Sequence, residues 1–238
     1  MGRIKTAVIM AAGMGTRFGN KTEFIPKGFI SVNGVPMIIR SIETLLNSGI
    51  TRIVIGTGYL KEKYEELAVK YPMLEFSFSE KYKDTNSMWT LCNCKEVVGN
   101  DDFILLESDL VFEQKAITEL INNEKTDVLL AAGEVKFQDQ YFVEYNEDKV
   151  LTNCSTDRTK LNVCGEFVGI HKISNSFYNK LCRYYEEIKN TYPRLGYEFG
   201  LLHTSQQITP LYVHKINNLV WYEIDDEKDL IYAEKLFR

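Results

Sequence analysis

Short, unbroken apolar runs recur along the 238-residue chain, and such runs are typical of strands buried in a sheet. The first spans residues 7–11 and leads directly into a glycine-bearing turn. A later run, residues 103–106, ends in Glu107-Ser108-Asp109, whereas residues 74–79 alternate between apolar and polar. The predicted strands are residues 7–11, 52–56, 74–79, 102–109, 126–132, 165–173, 211–215 and 221–225.

Between these runs, apolar residues recur at helical spacing and predict connecting helices. In the first, Ile38, Ile42 and Leu45 fall on one face. We expect Gly34-Val-Pro36 to open this helix and Gly49 to end it. The alternation of strands and helices predicts parallel strands joined by right-handed crossovers. The other predicted helices are residues 60–70, a helix beginning at Met88, 113–122, 175–190, 196–206 and a closing helix that Asp226 caps and that runs to Phe237.

The pattern changes near Val135. Residues 141–145 and 149–152 predict a β-hairpin, and a polar connection follows it. We expect residues ~135 to ~215 to form a small substrate-binding lobe folded onto the same sheet. Because no linker or internal repeat interrupts the chain, residues 1–238 are expected to form a single α/β domain.

Composition excludes several functional classes. The net charge is −5 and no basic run exceeds two residues, which disfavours a nucleic-acid partner. No apolar run approaches the ~18 residues of a membrane span and no signal-peptide segment is present, so we expect no membrane association. Five cysteines, an odd number without paired spacing, predict reduced thiols and a cytoplasmic protein. The one close pair, Cys92-x-Cys94, does not indicate a zinc site.

The turn after the first strand is suited to phosphate groups. Gly13 and Gly15 lack Cβ, so the turn can adopt positive φ and present backbone N–H groups to a ligand. Arg17 and Lys27 supply cations where a polyphosphate would rest. The dinucleotide fingerprint fails because Phe18 occupies its third glycine position, and an inserted asparagine interrupts the Walker A pattern. The sequence therefore predicts another kind of phosphate-binding loop, at the sheet edge where α/β proteins bind ligands.

Carboxylates at strand ends predict a divalent metal site. Asp109 and Asp225 each end an apolar strand, and Mg²⁺ is typically held by one or two carboxylates together with substrate phosphates. Glu223 is the alternative second ligand. An acidic chain that binds anions usually needs such a metal to offset the charge that its few local cations leave. We therefore predict Mg²⁺ at Asp109 and Asp225.

Several motifs, spread over most of the chain, resemble a known family. They are the glycine loop with Pro26-Lys27, the turn Gly58-Tyr59-Leu60-Lys61, the loop Tyr82-x-Asp84-x-Asn86-Ser87 and the ending Tyr222-Glu-Ile-Asp225. Together they resemble the phosphocholine cytidylyltransferase group. Within that group, the chain is most similar to the 2-aminoethylphosphonate cytidylyltransferases in three segments: Ile25-Pro-Lys-Gly-Phe29, Gly56-Thr-Gly-Tyr59 and Leu105-Leu-Glu-Ser-Asp-Leu110.

The resemblance implies a Rossmann-like nucleotidyltransferase fold, with a central, mostly parallel mixed sheet flanked by helices. It implies an Mg²⁺-dependent reaction of CTP with 2-aminoethylphosphonate that gives CMP-2-aminoethylphosphonate and pyrophosphate without a covalent intermediate. Arg17 and Lys27 are the expected catalytic residues, with Lys27 in contact with the transferring phosphate. The expected nucleotide-binding residues are Ala11, Ala12, Gly13, Gly15, Asn86, Ser87, Glu107 and Ser108.

The second substrate of such a reaction has a cationic head and an anionic tail, which call for carboxylates or aromatic faces at one end and cations at the other. Candidates for the head are Asp84, Trp89, Tyr141, Glu198 and Trp221, and those for the phosphonate are Lys136, Arg158 and Lys160. Each also has a structural explanation, such as a tryptophan in the core or a solvated loop lysine. A primary amine needs hydrogen-bond acceptors and a quaternary amine favours aromatic rings, and both residue types are present.

Other functions remain open from the sequence. The first is the same reaction on phosphocholine, and the second is a sugar-phosphate nucleotidyltransferase, which the compact lobe and the lack of an acyltransferase or helical-repeat segment disfavour. A non-catalytic nucleotide sensor of this fold would be expected to lose the lysine or the metal aspartates, yet Arg17, Lys27, Asp109 and Asp225 are all present. We expect an enzyme, with CTP and a small phosphorylated amine or its phosphonate as partners, and consider a homodimer possible.

Overall fold

The computed structural model describes residues 4–133 and 140–238. Its strands are β1 Thr6–Ala11, β2 Ser31–Val32, β3 Val35–Pro36, β4 Arg52–Thr57, β5 Leu74–Phe78, β6 Phe103–Glu107, β7 Leu110–Phe112, β8 Val128–Ala132, β9 Phe142–Tyr145, β10 Leu151–Ser155, β11 Gly165–Ile173, β12 Tyr212–Ile216 and β13 Trp221–Glu223. Its α-helices are α1 Met37–Asn47, α2 Lys61–Glu65, α3 Ser87–Asn93, α4 Lys95–Val98, α5 Lys115–Asn122, α6 Asn175–Ile188, α7 Tyr197–Gln207 and α8 Glu227–Leu236.

One half of the central sheet is parallel, with strand order β6-β1-β4-β5. β1 lies inside this half, and all six of its residues are buried. Its side chains alternate between the two faces, so Ala7 and Ile9 pack into one core and Val8 and Met10 into the other. A strand covered on both faces has no polar positions, which explains the unbroken apolar run. The predicted parallel arrangement is confirmed.

The sheet continues through strands β8 to β12 on the far side of β6. The long strand β11 runs antiparallel to β6, β8 and β9, and β12 runs parallel to β8. The register of β11 against β8 shifts between Phe167 and His171, where Gly169 has a φ of 77° that favours glycine. The predicted hairpin is formed by β9 and β10, and the predicted strand 165–173 is confirmed. Both belong to the same sheet as β1.

Helices cover both faces of this sheet. Apolar side chains of α1 and α5, such as Ile42 and Ile117, pack with Ile9 on one face. Those of α3, α6 and α7 pack with Val8 on the other, where Phe177 is fully buried. Burying an apolar side chain of this size contributes about 1.5–3 kcal/mol, so both faces anchor the strand ends that carry the site.

Residues 34–36 differ from the prediction. Asn33 and Gly34 have φ values of 50° and 80° and join β2 to β3 in a two-residue hairpin, so Gly34 and Val35 do not begin the helix, although Pro36 is its N-cap. An Asn-Gly pair with positive φ at both positions is a strong hairpin signal, and the sequence prediction missed it. The helix α1 begins after this hairpin, at Met37.

Two further elements are shorter than predicted. The predicted helix 60–70 is an α-helix only over Lys61–Glu65 and continues as a 3₁₀ turn over Glu66–Val69. The last predicted strand, residues 221–225, is β13, which pairs antiparallel with β7 rather than with the central sheet. As predicted, Asp226 caps the closing helix, where its carboxylate accepts from Lys228 and Asp229 N–H groups. The small β7–β13 sheet therefore brings residues 223–225 beside the end of β6.

In the part of the chain that the structure describes, no helix has the length and apolar character needed to cross a membrane.

Candidate active site

A cavity of about 620 Å³ opens at the carboxyl ends of β1 and β6. Ala12 and the glycine loop form one side, and Glu107, Ser108 and Asp109 form the floor. Residues from α7 and from the β13–α8 junction close the other side. This is the edge of an α/β sheet where ligands are bound, as the sequence predicted.

The glycine loop is held tightly against Lys27. Gly15 has a φ of 62°, and a Cβ there would lie 3.0 Å from Lys27 Cβ. The carbonyl of Gly15 accepts hydrogen bonds from Phe18 N and Thr22 Oγ1. Gly13 does not have a positive φ, and the space around its Cα is open toward the cavity. The loop thus combines one position that only glycine occupies without strain, Gly15, with one exposed backbone segment at Gly13.

The turn at Gly58 supports the same loop from beneath. Tyr59 N donates to Ala12 O at 3.2 Å, and a Cβ on Gly58 would lie only 2.6 Å from that carbonyl oxygen. Only glycine allows this approach, because a side chain would push the two turns apart. The Gly58-Tyr59 motif therefore fixes the height of the glycine loop above the sheet.

Lys27 connects the two predicted metal aspartates. Its Nζ lies 2.5 Å from Asp109 Oδ2 and 2.8 Å from Asp225 Oδ1. Arg17 Nη1 lies 3.0 Å from the other oxygen of Asp225. Burial lowers the pKa of Lys27, but the two carboxylates more than offset it and hold the pKa above its usual value. Lys27 is therefore a fixed cation at the centre of the site.

A second group of carboxylates surrounds Asp109. Oxygen atoms of Glu107, Asp109 and Glu223 all lie within 4.8 Å of one another, close enough to share one cation. Asp225 is not part of this group, although it lines the same cavity. Carboxylate oxygens are the ligands that Mg²⁺ prefers, so the donor set fits this ion. The structure brings all three candidate ligands, Asp109, Asp225 and Glu223, into one cavity.

Two cavity carboxyls are strongly affected by burial. Desolvation raises the pKa of Glu107 well above its usual range, and the nearby Glu223 and Asp109 raise it further. Burial raises the pKa of Glu198 to about 7. Carboxylates that are costly to ionise alone are stabilised when a cation binds beside them. This part of the cavity is therefore suited to a positively charged group.

Aromatic rings line the cavity near these carboxylates. The Tyr141 ring makes an edge contact with Phe199, with centroids 5.8 Å apart, and a tilted contact with Phe167 at 6.2 Å. All three residues line the cavity. Burial and the neighbouring Glu198 raise the pKa of Tyr141 to about 12, so its hydroxyl stays protonated at neutral pH.

The predicted nucleotide-binding residues converge on the cavity with one exception. Ala11 is buried as the last residue of β1 and does not line it. Asn86 caps α3 by accepting from Ser87 N at 2.8 Å, and Ser87 Oγ accepts from Tyr197 N at 3.0 Å. Those that line the cavity are Ala12, Gly13, Gly15, Asn86, Ser87, Glu107 and Ser108.

Only two of the five candidates for the substrate's cationic head line the cavity. Tyr141 and Glu198 line the cavity. Asp84 and Trp89 line a separate pocket of about 230 Å³. Trp89 precedes the cavity-lining Thr90 on α3, and one helical position turns a side chain by roughly 100°. Trp221 is 2% exposed and packs in the core.

The candidates for the phosphonate do not reach the cavity in the described part of the chain. The guanidinium of Arg158 lies 4.5 Å from the centre of the Phe142 ring. Lys160 is 70% exposed and pairs with Asp157, three residues earlier, at 3.3 Å. Lys136 lies outside the described residues. Arg158 and Lys160 belong to a 3₁₀ turn after β10, which explains their separation from the site.

Sequence reasoning missed several cavity residues. Arg194 is a third cation in the described lining, beside Arg17 and Lys27. No short-range signal marks it, because it lies in the α6–α7 connection. Tyr197 begins α7, where a tyrosine is typical of a core position. The other missed lining residues include Thr85, Gln140, Phe167 and Phe199.

The fold and the site together define a class of protein. A glycine loop, an Arg and Lys pair and strand-end carboxylates around one cavity of a Rossmann-like sheet are the arrangement of a nucleotidyltransferase. The chain belongs to the MobA-like NTP transferase domain family, whose model matches residues 7–165. The fold predicted from the sequence is confirmed by a solved structure, the CTP:phosphocholine cytidylyltransferase from Streptococcus pneumoniae. That structure is 24% identical, with a TM-score of 0.84 over 100% of both chains.

Two curated relatives are similar over part of the chain. A 2-aminoethylphosphonate cytidylyltransferase from Lancefieldella rimae is 37% identical over 111 residues, which is 47% of this chain and 45% of the relative. A choline-phosphate cytidylyltransferase from Streptococcus pneumoniae is 43% identical over 94 residues, 40% of this chain and 41% of the relative. The matches therefore span less than half the length of either relative.

Proposed function

We propose that the protein is a cytidylyltransferase that converts CTP and 2-aminoethylphosphonate to CMP-2-aminoethylphosphonate and pyrophosphate. A phosphonate oxygen attacks the α-phosphorus of CTP, a new P–O bond forms, and the bond from the α-phosphorus to the bridging oxygen breaks. The electron pair of that bond leaves with pyrophosphate. Because the attacking oxygen is already an anion, the step needs no general base.

The cations of the site are placed for this reaction. Lys27 and Arg17 lie beside the glycine loop, where the triphosphate is expected to rest, and both are fixed by Asp225. Preorganised cations stabilise charge that grows on a transferring phosphoryl group without reorganising during the step. We assign these two residues to the α-phosphate and the departing pyrophosphate.

Carboxylates in the cavity fit a divalent metal. We propose that Mg²⁺ is held by Asp109 together with Asp225, and the proximity of Glu223 to Asp109 keeps it as the alternative second ligand. When bound, the ion neutralises phosphate charge. The variants Asp225→Asn and Glu223→Gln test the two candidate second ligands one at a time. The substitution that raises the Mg²⁺ concentration needed for half-maximal rate identifies the partner of Asp109.

The observation that carries the proposal is an excess of carboxylates in a cavity built for an anionic nucleotide. The described lining holds five carboxylates, Glu107, Asp109, Glu198, Glu223 and Asp225, against three cations, Arg17, Lys27 and Arg194. One Mg²⁺ ion would offset this excess of two negative charges, but a bound triphosphate adds several more. Glu198 and Glu223, which both lie near Tyr141, are therefore suited to a second positive charge. An ammonium head supplies that charge, whereas a neutral sugar does not.

Phosphocholine is the second candidate, and the aromatic wall favours it. Tyr141, Phe167 and Phe199 form a cluster that can face a quaternary ammonium group. The half-buried carboxyls Glu107 and Glu198 favour the primary amine instead, since its N–H groups could donate hydrogen bonds to them.

The test is pyrophosphate release in the presence of Mg²⁺ and CTP, with 2-aminoethylphosphonate, phosphocholine and glucose 1-phosphate compared in parallel. We expect the highest kcat/KM with 2-aminoethylphosphonate. Preference for phosphocholine would support cytidylyl transfer but assign phosphocholine as the second substrate. Activity with the sugar phosphate alone would contradict the proposal.

A further inference from the structure

A chain of three polar side chains, two of them fully buried, ends in the cavity. Tyr197 Oη donates a hydrogen bond to Glu107 Oε1 at 2.5 Å, and His171 Nε2 lies 3.2 Å from the same tyrosine oxygen. His171 and Tyr197 are fully buried, and Glu107 and Tyr197 line the cavity. The three residues come from β11, the start of α7 and the end of β6, so three separate elements meet at one carboxylate.

The hydrogen bonds of this chain have one consistent direction. A tyrosine hydroxyl carries a single proton, and Tyr197 gives it to Glu107, so Nε2 of His171 must donate to the tyrosine oxygen. Burial lowers the pKa of His171 to about 3, so the ring is neutral and has one proton to place. Nδ1 is then the unprotonated nitrogen, in agreement with its having no hydrogen-bond partner in the described structure.

Gly169 confines the same carboxylate from another side. A Cβ at Gly169 would lie 3.0 Å from Glu107 Cδ and 3.1 Å from Oε2. The glycine also has a φ of 77°, at the register shift of β11. The carboxyl group therefore lies flat against backbone on one side while Tyr197 holds one of its oxygens, which leaves it little freedom to rotate.

We propose that Tyr197 and His171 are positioning residues that fix the orientation of the Glu107 carboxylate and thereby select a primary ammonium group over a trimethylated one in the second substrate. The proposal rests on the proposed function. A primary ammonium donates three directional N–H bonds, so its binding depends on where the acceptor oxygens point. A trimethylammonium group has no N–H and responds mainly to the local negative charge, which a rotated carboxylate still provides.

The variant Tyr197→Phe removes only the hydroxyl that holds Glu107. Tyr178→Phe is a matched control, since Tyr178 is also fully buried and donates at 2.5 Å, but to the backbone carbonyl of Leu91 outside the cavity. The substrates are 2-aminoethylphosphonate and its N-trimethyl analogue, which share the phosphonate. The analogue is measured as a substrate or, where turnover is too slow, as a competitive inhibitor.

In Tyr197→Phe we expect KM for 2-aminoethylphosphonate to rise about tenfold or more, the usual effect of losing a hydrogen bond to a charged group. KM for CTP, and KM or Ki for the trimethyl analogue, should change by less than about twofold in Tyr197→Phe. In Tyr178→Phe, all three constants should stay within about twofold of the wild type. His171→Phe should give a smaller shift in the same direction, and His171→Gln, which keeps an N–H donor, should restore part of it.

Three results would overturn the positioning role. Equal losses for the primary and trimethylated substrates would show that Tyr197 acts on general packing or charge. A raised Mg²⁺ requirement with an unchanged amine KM would assign Glu107 to the metal instead. An unchanged KM in Tyr197→Phe would remove the role while leaving the proposed function intact, whereas a wild-type protein that turns over neither amine would contradict both.

Discussion

Lys27 is the residue at which the charges of the site converge. Its ammonium group bridges Asp109 and Asp225 while only 14% of its side chain is exposed. Neither carboxylate can be moved without altering the position of this cation. The arrangement places Lys27, ten residues after Arg17 in the sequence, beside the glycine loop.

Replacing Lys27 tests this role. We expect Lys27→Ala to lower kcat by on the order of 10²-fold or more, because a preorganised cation is lost where charge develops. Steady-state kinetics measure the effect. Lys21→Ala is the control, since Lys21 belongs to the same segment but pairs with Glu227 in solvent. Comparable losses in the two variants would refute a specific role for Lys27.

Glu198 predicts a pH dependence. Burial raises its pKa to about 7, so the carboxyl becomes neutral as the pH falls through 7 and binds an ammonium group less well. We expect KM for 2-aminoethylphosphonate to rise severalfold from pH 8 to pH 6 in the wild type. Glu107 lies near Glu198, and its charge shifts the midpoint, whereas the neighbouring Tyr141 and Tyr197 are neutral over this pH range because their pKa values are raised.

The control for this prediction is Glu198→Gln, measured over the same pH range. Ionisation of the phosphonate contributes equally in both proteins, so only the difference between the two profiles reports on Glu198. A variant profile as steep as that of the wild type would assign the titration to another group.

At the scale of elements, the close contact between two turns controls the height of the glycine loop. In Gly58→Ala the new Cβ would meet the Ala12 carbonyl oxygen, and Gly58 has no positive φ that would add backbone strain. Overpacking of this kind costs about 1–3 kcal/mol, so we expect KM for CTP to rise about tenfold.

Gly99→Ala is the matched control for this element. Gly99 has a φ of 65° but nothing within 4 Å of its added Cβ, and it lies outside the cavity lining. The Gly99→Ala variant should have a lower Tm than the wild type and an unchanged KM for CTP. A Gly58→Ala protein with normal CTP binding would show that the Gly58 turn does not control the position of the glycine loop.

Several elements could be predicted from the sequence because their signals are local. The run at residues 7–11, the glycine loop and the carboxylates after β6 are each defined within a few residues. The signal for the Asn33-Gly34 hairpin is also local, but Val35 and Pro36 after it also fit the start of a helix. Capping by Asp226 was predicted and confirmed for the same reason.

The rest of the site depends on distant parts of the chain and could not be predicted. Tyr197 and Arg194 reach the cavity only because α7 packs against β10 and α3, far away in sequence. Asp84 and Trp89 lie within two residues of Asn86 and Ser87 in the sequence. The helical rotation along α3 nevertheless directs Trp89 into another pocket. Pattern alone places a residue on an element, while the rotation and contacts of that element decide which cavity it faces.

At the scale of the whole molecule, one mixed sheet supplies both halves of the proposed reaction. The parallel strands β1 and β6 carry the glycine loop proposed for the nucleotide and the carboxylates of the cavity floor, and β11 and α7 carry the residues proposed to orient Glu107 toward the amine. Because β6 pairs with both β1 and β11, the two binding regions are fixed relative to each other. In-line transfer needs such a fixed geometry.

The most direct measurement is ³¹P NMR of the wild-type protein incubated with CTP, Mg²⁺ and 2-aminoethylphosphonate, with Asp109→Asn as the inactive control. The account predicts resonances of pyrophosphate and of a mixed anhydride between CMP and the phosphonate, formed in equal amounts and absent from the control. Pyrophosphate without the mixed anhydride, or unchanged CTP in the presence of both candidate amines, would contradict it.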